Sequence, residues 1–127
     1  MVHPNDTLSH INKSLIYILL FNLVSNAIKY NREGGWIRVA CFETGSKFCI
    51  EVIDNGFGID HDQISNIFNR FKRADPNSGE GYGLGLSIVS SIVNFHNGSI
   101  EVQSVKGEGS TFKIQFPLKN VNFITAG

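Results

Sequence analysis

No sign of charge prevails in this chain. Eleven basic residues meet 11 acidic ones, which excludes a basic field able to hold nucleic acid non-specifically. No apolar run approaches the roughly 20 residues that cross a bilayer. The richest stretch, LIYILLFNLV, is short and carries Asn22. Polar MVHPNDTLSHINK precedes it and no small-residue cleavage site follows, so it does not read as a secretory leader. Cysteine is scarce. Cys41 and Cys49 fall on the arms of a hairpin expected around TGSK. With Gly45 and Ser46 as a two-residue turn, Cys41 faces position 50 and Cys49 faces position 42, which puts the thiols on opposite faces of the sheet. They do not form a disulfide framework. Free buried cysteines fit a reducing compartment, so a cytoplasmic location is expected. There is no internal repeat and no low-complexity block.

What is present suits one domain with one core in 127 residues. Residues 1–12 read as a polar extension. Residues 13–31, KSLIYILLFNLVSNAIKYN, read as a helix apolar on most of its circumference, with Gly34 and Gly35 as its C-terminal cap. WIRVACFE and KFCIEVID are expected strands around the Gly-Ser turn. DHDQISNIF (60–68) reads as a short helix with acidic residues in its first turn. KRADPNSGEGY (72–82) is a loop, and GLGLSIVSSIVNFH (83–96) is an amphipathic helix entered through glycines. GSIEVQSV and STFKIQFPL form a second hairpin across KGEG, and 119–127 is a tail. Hairpins joined by helices predict a mixed or antiparallel sheet with helices layered on one face.

Three stretches carry chemistry. Asn22, Ser25, Asn26 and Lys29 share one polar stripe on an otherwise apolar helix. They are either the solvent face of that helix or a ligand site, since an amide oxygen is a hard neutral ligand for Mg²⁺ and a lysine one turn on meets phosphate as a point charge. IDNGFGID ends a strand on Asp54 and then runs through two glycines. A hairpin turn at Asn55-Gly56 needs an alternating return strand, which FGIDHDQI is not. A single calcium turn of the β-helix kind would be one copy of what comes in arrays. A ligand site remains: a carboxylate accepts from an amino group such as that of adenine, and Gly56 and Gly58 let a flat ring approach. In GEGYGLGLSIV, Leu86 stands where a dinucleotide fingerprint needs glycine, and no Gly-Lys-Ser/Thr occurs anywhere. Glycines 81, 83 and 85 before a helix still offer backbone N–H groups to an anion, which favours phosphate over a plain helix entry.

Taken in order, these stretches resemble the catalytic and ATP-binding domain of sensor histidine kinases, of the GHKL superfamily with its Bergerat fold. NLVSNAIKY resembles the N box, DNGFGI the G1 box, IFNRFKR the F box, GYGLGL the G2 box and GEGSTF the last glycine box. The match covers about residues 13–118, and five ordered motifs are far more specific than any one of them. The resemblance implies an α/β (α+β) two-layer sandwich, a mixed sheet with three helices on one face and a flexible ATP lid. It implies ATP and Mg²⁺ as cofactors. Asn26 would bind Mg²⁺; Asn22, Lys29 and Tyr30 would line the nucleotide; Asp54 would hold the adenine amine, with Gly56, Gly58 and Ile59 beside the ring. Thr111 would join water-mediated contacts to adenine. Arg73 would lie near the phosphates, Phe68 and Phe71 would anchor the lid at 72–82, and Gly81, Tyr82, Gly83, Leu84, Gly85 and Leu86 would wrap the phosphates. Asn22, Asn26, Lys29 and Arg73 are the residues expected to act in catalysis.

Hydrolytic members of the superfamily carry a glutamate four residues before the metal-binding asparagine. Here that position is Asn22, and an amide takes no proton at neutral pH. The resemblance therefore implies transfer of the γ-phosphate to a histidine of a dimerisation domain, for relay to a response regulator. None of His3, His10, His61 and His96 sits in the sequence context of that acceptor, and His96 reads as structural. The expected partners are that dimerisation and phosphotransfer domain and a receiver domain, with no nucleic acid and a monomeric isolated domain. The parent kinase is either soluble or membrane-anchored. Three features depart from the family: a short loop after Arg73, no basic residue between Arg73 and Gly83, and Tyr82 in place of a small hydroxyl residue. They keep open a second reading, a nucleotide-sensing module that transfers nothing.

Overall fold

The computed structural model describes residues 11–64 and 83–118, the latter without the side chains of 83–85. Helix α1 spans Lys13–Lys29. Asn12 caps it, its side-chain oxygen accepting from the Leu15 N–H at 3.0 Å. Leu19, Leu23 and Ala27 recur every four residues and are the buried side of the helix. The helix ends earlier than the glycines suggest. Tyr30 is the C-cap, its N–H returning to the Asn26 carbonyl, and the Asn31 N–H returns to the Ile28 carbonyl. Residues 32–35 then form a separate turn, closed by Gly35 N–H to Arg32 C=O at 3.0 Å with Gly34 at φ +79°.

Strands β1 (Ile37–Thr44) and β2 (Lys47–Asp54) form the first hairpin. Cys41 pairs with Ile50 and Phe42 with Cys49, the register expected from a two-residue turn. The cysteines accordingly lie on opposite faces; Cys49 is buried, whereas Cys41 is exposed, contrary to the expectation that both are buried. After β2, residues 61–64 are helical, and the rest of the helix expected at 60–68 lies outside the described residues. Helix α2 spans Gly83–Phe95, and β3 (Ser99–Val105) and β4 (Gly109–Pro117) close the second hairpin.

Among the described residues the sheet has four strands in the order β1-β2-β4-β3, and each neighbouring pair is antiparallel. β2 and β3 run in the same direction with β4 between them. Alternation on β4 shows which face is inside. Ser110, Phe112, Ile114 and Phe116 are buried, while Thr111, Lys113 and Gln115 between them are only partly covered. Leu19, Leu23, Ile50, Val52, Leu86, Val89, Phe112, Ile114 and Phe116 form one core between sheet and helices, and Ile64 packs against it. The expected two-layer α+β architecture is thus in place.

His96 is structural, as expected. Its Nε2 accepts from the Asn12 N–H at 3.0 Å, so the ring proton sits on Nδ1, which donates to the Ile92 carbonyl at 2.8 Å. One neutral ring ties the start of α1 to the end of α2, packed edge-on to Phe116 at 5.2 Å.

Candidate functional site

The end of β2 and the last turns of α1 meet in a narrow crevice. Leu23, Asn26, Ala27, Tyr30, Asp54, Gly58, Ser110 and Phe112 line it. Its apolar wall is the edge of the core, and its polar rim is Asn26, Tyr30, Asp54 and Ser110. The enclosed space is small, about 10 Å³, so the site is defined by its rim and not by a preformed hole.

Asp54 reaches the crevice because the sheet places it opposite Ser110 on the helix-facing side. Burial pushes its carboxyl above the ordinary range, and backbone N–H groups of Gly56 and Ser110 pull part of the way back. The Gly56 N–H donates to Oδ1 at 2.7 Å. Asn26 lies across from it, and its Nδ2 is buried with no hydrogen-bond partner. An unpaired buried amide is costly, and this one borders the crevice, where a ligand could satisfy it. A half-turn of the amide offers the same place an oxygen or an N–H. The chemistry therefore suits a hard cation or a polar ligand edge at Asn26, beside a carboxylate acceptor at Asp54.

Other expected residues fall in different places. Asn22 is turned back on its own helix, donating to the Ile18 carbonyl at 2.8 Å, and Lys29 is exposed, with Nζ 5.4 Å from the Tyr30 ring centre. Ile59 is buried in the core and its N–H donates to Ser104 Oγ at 2.7 Å. Gly83, Leu84 and Gly85 form the first turn of α2, where helical N–H groups have no partners within the helix. Two expectations are corrected. Leu86 is 1% exposed and serves the core. Thr111 pairs with Ile53 on the opposite face of the sheet, away from the helices; the β4 hydroxyl that reaches the crevice is Ser110. Phe68, Phe71, Arg73, Gly81 and Tyr82 lie outside the described residues.

The glycines are explained differently from the sequence reading. A Cβ at Gly56 would lie 2.5 Å from the Tyr30 carbonyl oxygen. One at Gly58, whose φ is +71°, would lie 2.1 Å from the Val105 carbonyl oxygen. What lies against this thin backbone is the chain's own: the end of α1 on one side and the β3–β4 turn on the other. Gly58 still borders the crevice, and Gly56 is packed behind it.

Three residues outside the expected set build the site. Ser104 Oγ receives the Ile59 N–H, donates to Gly109 C=O at 2.9 Å and lies 2.8 Å from Ser110 Oγ. Ser110 follows from the Phe112-Ile114-Phe116 alternation, which puts it, and not Thr111, on the core side. Arg32 reads in sequence only as part of a helix stop. Its guanidinium holds the carbonyls of Asn55, Gly56 and Gly107 at 2.8, 2.8 and 2.7 Å.

Comparison with known proteins places this geometry. Residues 11–120 match the family described as histidine kinase-, DNA gyrase B- and HSP90-like ATPases. The adaptive-response sensory kinase SasA of Synechococcus elongatus is 45% identical over 102 residues, which is 79% of this chain and 26% of that protein. The chain thus spans about a quarter of the length of that curated relative. The catalytic domain of histidine kinase ThkA, nucleotide-free, superposes with a TM-score of 0.69 at 28% identity, covering 84% of this chain and 67% of that one. Full-length ShkA in complex with AMPPNP gives 0.67 at 30% identity, over 82% of this chain and 21% of that one.

Proposed function

Because this chain belongs to the histidine kinase-, DNA gyrase B- and HSP90-like ATPase family, we propose that its crevice binds the adenine of Mg·ATP and that the γ-phosphate passes to a histidine outside residues 13–118. The catalytic domain of sensor histidine kinases is the part of the family it matches. One observation carries the site assignment: the unpartnered buried amide of Asn26 and the carboxylate of Asp54 border one crevice.

In this reading Asp54 accepts from the adenine amine, with Gly58 and Ser110 beside the ring and the Leu23–Ala27–Phe112 wall excluding water from one side. Asn26, turned to present oxygen, would hold Mg²⁺, which would supply neutralisation of phosphate charge there. Lys29, exposed at the end of α1, swings from the Tyr30 ring to meet phosphate. The first turn of α2 presents N–H groups to the same anion. Arg73 and Gly81, outside the described residues, are assigned to the phosphate site by the family motifs alone. In the transfer, the bond from the γ-phosphorus to the bridging oxygen of ADP breaks and a bond to an imidazole nitrogen forms. ADP leaves with the electron pair, and the imidazole proton goes to a base on the acceptor's own domain. Asn22 offers water no base, and its amide is spent on Ile18. The partners that follow are a dimerisation domain bearing the histidine and a response regulator. No helix among the described residues is long and apolar enough to cross a membrane, and a cytoplasmic setting for the domain accords with free cysteines.

Titration of the protein with a non-hydrolysable ATP analogue, with and without Mg²⁺, tests this directly. Binding strengthened by Mg²⁺ is expected, and Asn26→Ala should remove the strengthening. An Asn26→Ala protein with the wild-type Mg²⁺ response would sink the metal assignment.

A further inference from the structure

Arg32 is exposed, yet its side chain makes three hydrogen bonds to backbone. Nε donates to Asn55 C=O and Nη2 donates to both Gly56 C=O and Gly107 C=O, which are 23, 24 and 75 residues away. The guanidinium carbon also stands 5.9 Å from the Phe57 ring centre. These carbonyls belong to two separate loops, the one leaving β2 and the one joining β3 to β4. The loops touch each other through Gly107 N–H to Phe57 C=O at 2.7 Å, and the first is held to the end of α1 through Phe57 N–H to Tyr30 C=O at 3.2 Å. A planar cation with several fixed donors is suited to bridge such carbonyls, and charge-assisted bonds are the stronger kind.

The consequence runs through one peptide group, the one joining Asn55 to Gly56. Its C=O, on Asn55, accepts from Arg32 Nε, and its N–H, on Gly56, donates to Asp54 Oδ1. One of the two backbone N–H groups that orient the Asp54 carboxylate, the other being that of Ser110, is therefore on a peptide that Arg32 holds from behind. We propose that Arg32 is a positioning residue for base recognition: it clips the two glycine loops so that Asp54 is aimed at the amino group of the purine. It touches no ligand itself. The proposal rests on the reading of Asp54 as the adenine acceptor.

The test compares two probes, a non-hydrolysable ATP analogue and the matching triphosphate of purine riboside, which lacks the amino group. The wild type should prefer the adenine form by roughly 10- to 100-fold, the worth of one hydrogen bond to a charged acceptor. Arg32→Ala should lose most of that preference, its affinity for the adenine form falling toward that for the amine-free form. Arg32→Lys should recover part of it, since one ammonium reaches fewer of the three carbonyls. An Arg32→Ala protein that keeps the full preference overturns the proposal, as does one that loses affinity for both probes equally, which a merely structural role would give. If Arg32→Ala does not fold, Arg32→Lys decides: a reduced preference supports positioning and an intact one refutes it. A wild type that binds both probes equally removes the Asp54 reading itself, and the proposal with it.

Discussion

The two hairpin turns stand at opposite ends of β2 and do the same topological work. The first, between Thr44 and Lys47, projects Gly45 at φ +59° with nothing within 4 Å of a Cβ built on it. The second, between Val105 and Gly109, is embedded. Gly107 receives Arg32 on its carbonyl and donates its N–H to Phe57. A Cβ on Gly109, whose φ is +132°, would lie 2.0 Å from the Asp54 carbonyl oxygen. Both turns use glycine for a positive φ. In the first the need ends with that turn's own backbone. In the second, glycine also makes room for the strand end that carries Asp54. The same residue type thus means a connector at one end of the sheet and a load on the site at the other.

The sharpest way to break this comparison is Gly109→Ala. The added methyl meets backbone, which cannot rotate aside, and the φ is one that L residues avoid. A loss of about 3 kcal/mol or more is expected, together with loss of nucleotide binding, because the obstructed oxygen belongs to Asp54 itself. Urea unfolding and analogue titration read the two effects. A Gly109→Ala protein with wild-type values for both would mean that the turn is no more constrained than its counterpart.

Asp54→Asn separates what the site costs from what it does. Burial raises the carboxyl's folded-state pKa. A raised pKa contributes stability at low pH, where the group is protonated in both states, and that contribution is lost as pH rises through the folded value. At neutral pH the native state therefore bears the desolvated charge. The expected result is a protein at least as stable as wild type at pH 7, whose relative advantage shrinks as pH falls into the carboxylate range. Binding of the adenine analogue should weaken by roughly 10- to 100-fold, the scale of one bond to a charged acceptor. Melting curves at pH 7 and pH 4 check the sign. A large destabilisation at pH 7 would show instead that the carboxylate's bonds from Gly56 and Ser110 outweigh its burial.

What could be read beforehand was whatever repeats along the chain. The four strands follow from alternation, and the Cys41–Ile50 register follows from a two-residue turn. Asn26 was visible because a polar stripe on an apolar helix needs a reason. Two errors came from local rules applied one step off. Gly34 and Gly35 look like a helix cap, but the helix already closes at Tyr30, the Tyr30 and Asn31 N–H groups returning to Asn26 and Ile28, and the glycines shape a later turn. Thr111 and Ser110 are adjacent hydroxyls on opposite faces, and motif matching alone does not settle parity; the apolar residues 112, 114 and 116 do. Arg32 and Ser104 were invisible for a deeper reason. Most of their partners are backbone groups distant along the chain, and a backbone carbonyl has no letter in the sequence.

The smallest effect sharpens the comparison most. Gly45→Ala keeps the turn's surroundings empty, so the only cost is the left-handed backbone, about 1 kcal/mol. Asn tolerates that conformation better than Ala, so Gly45→Asn should cost less than Gly45→Ala. Neither should change affinity for the ATP analogue, because nothing in this turn contacts the crevice residues, which lie at the far end of β2. Its one outward hydrogen bond among the described residues, Ser46 C=O accepting the Leu118 N–H at 2.7 Å, uses backbone that both substitutions leave in place. Thermal melts and titrations on the two variants suffice. If either one weakened nucleotide binding, strain at the open turn would be travelling the length of β2 to Asp54, and the two ends of the sheet would be one mechanical unit.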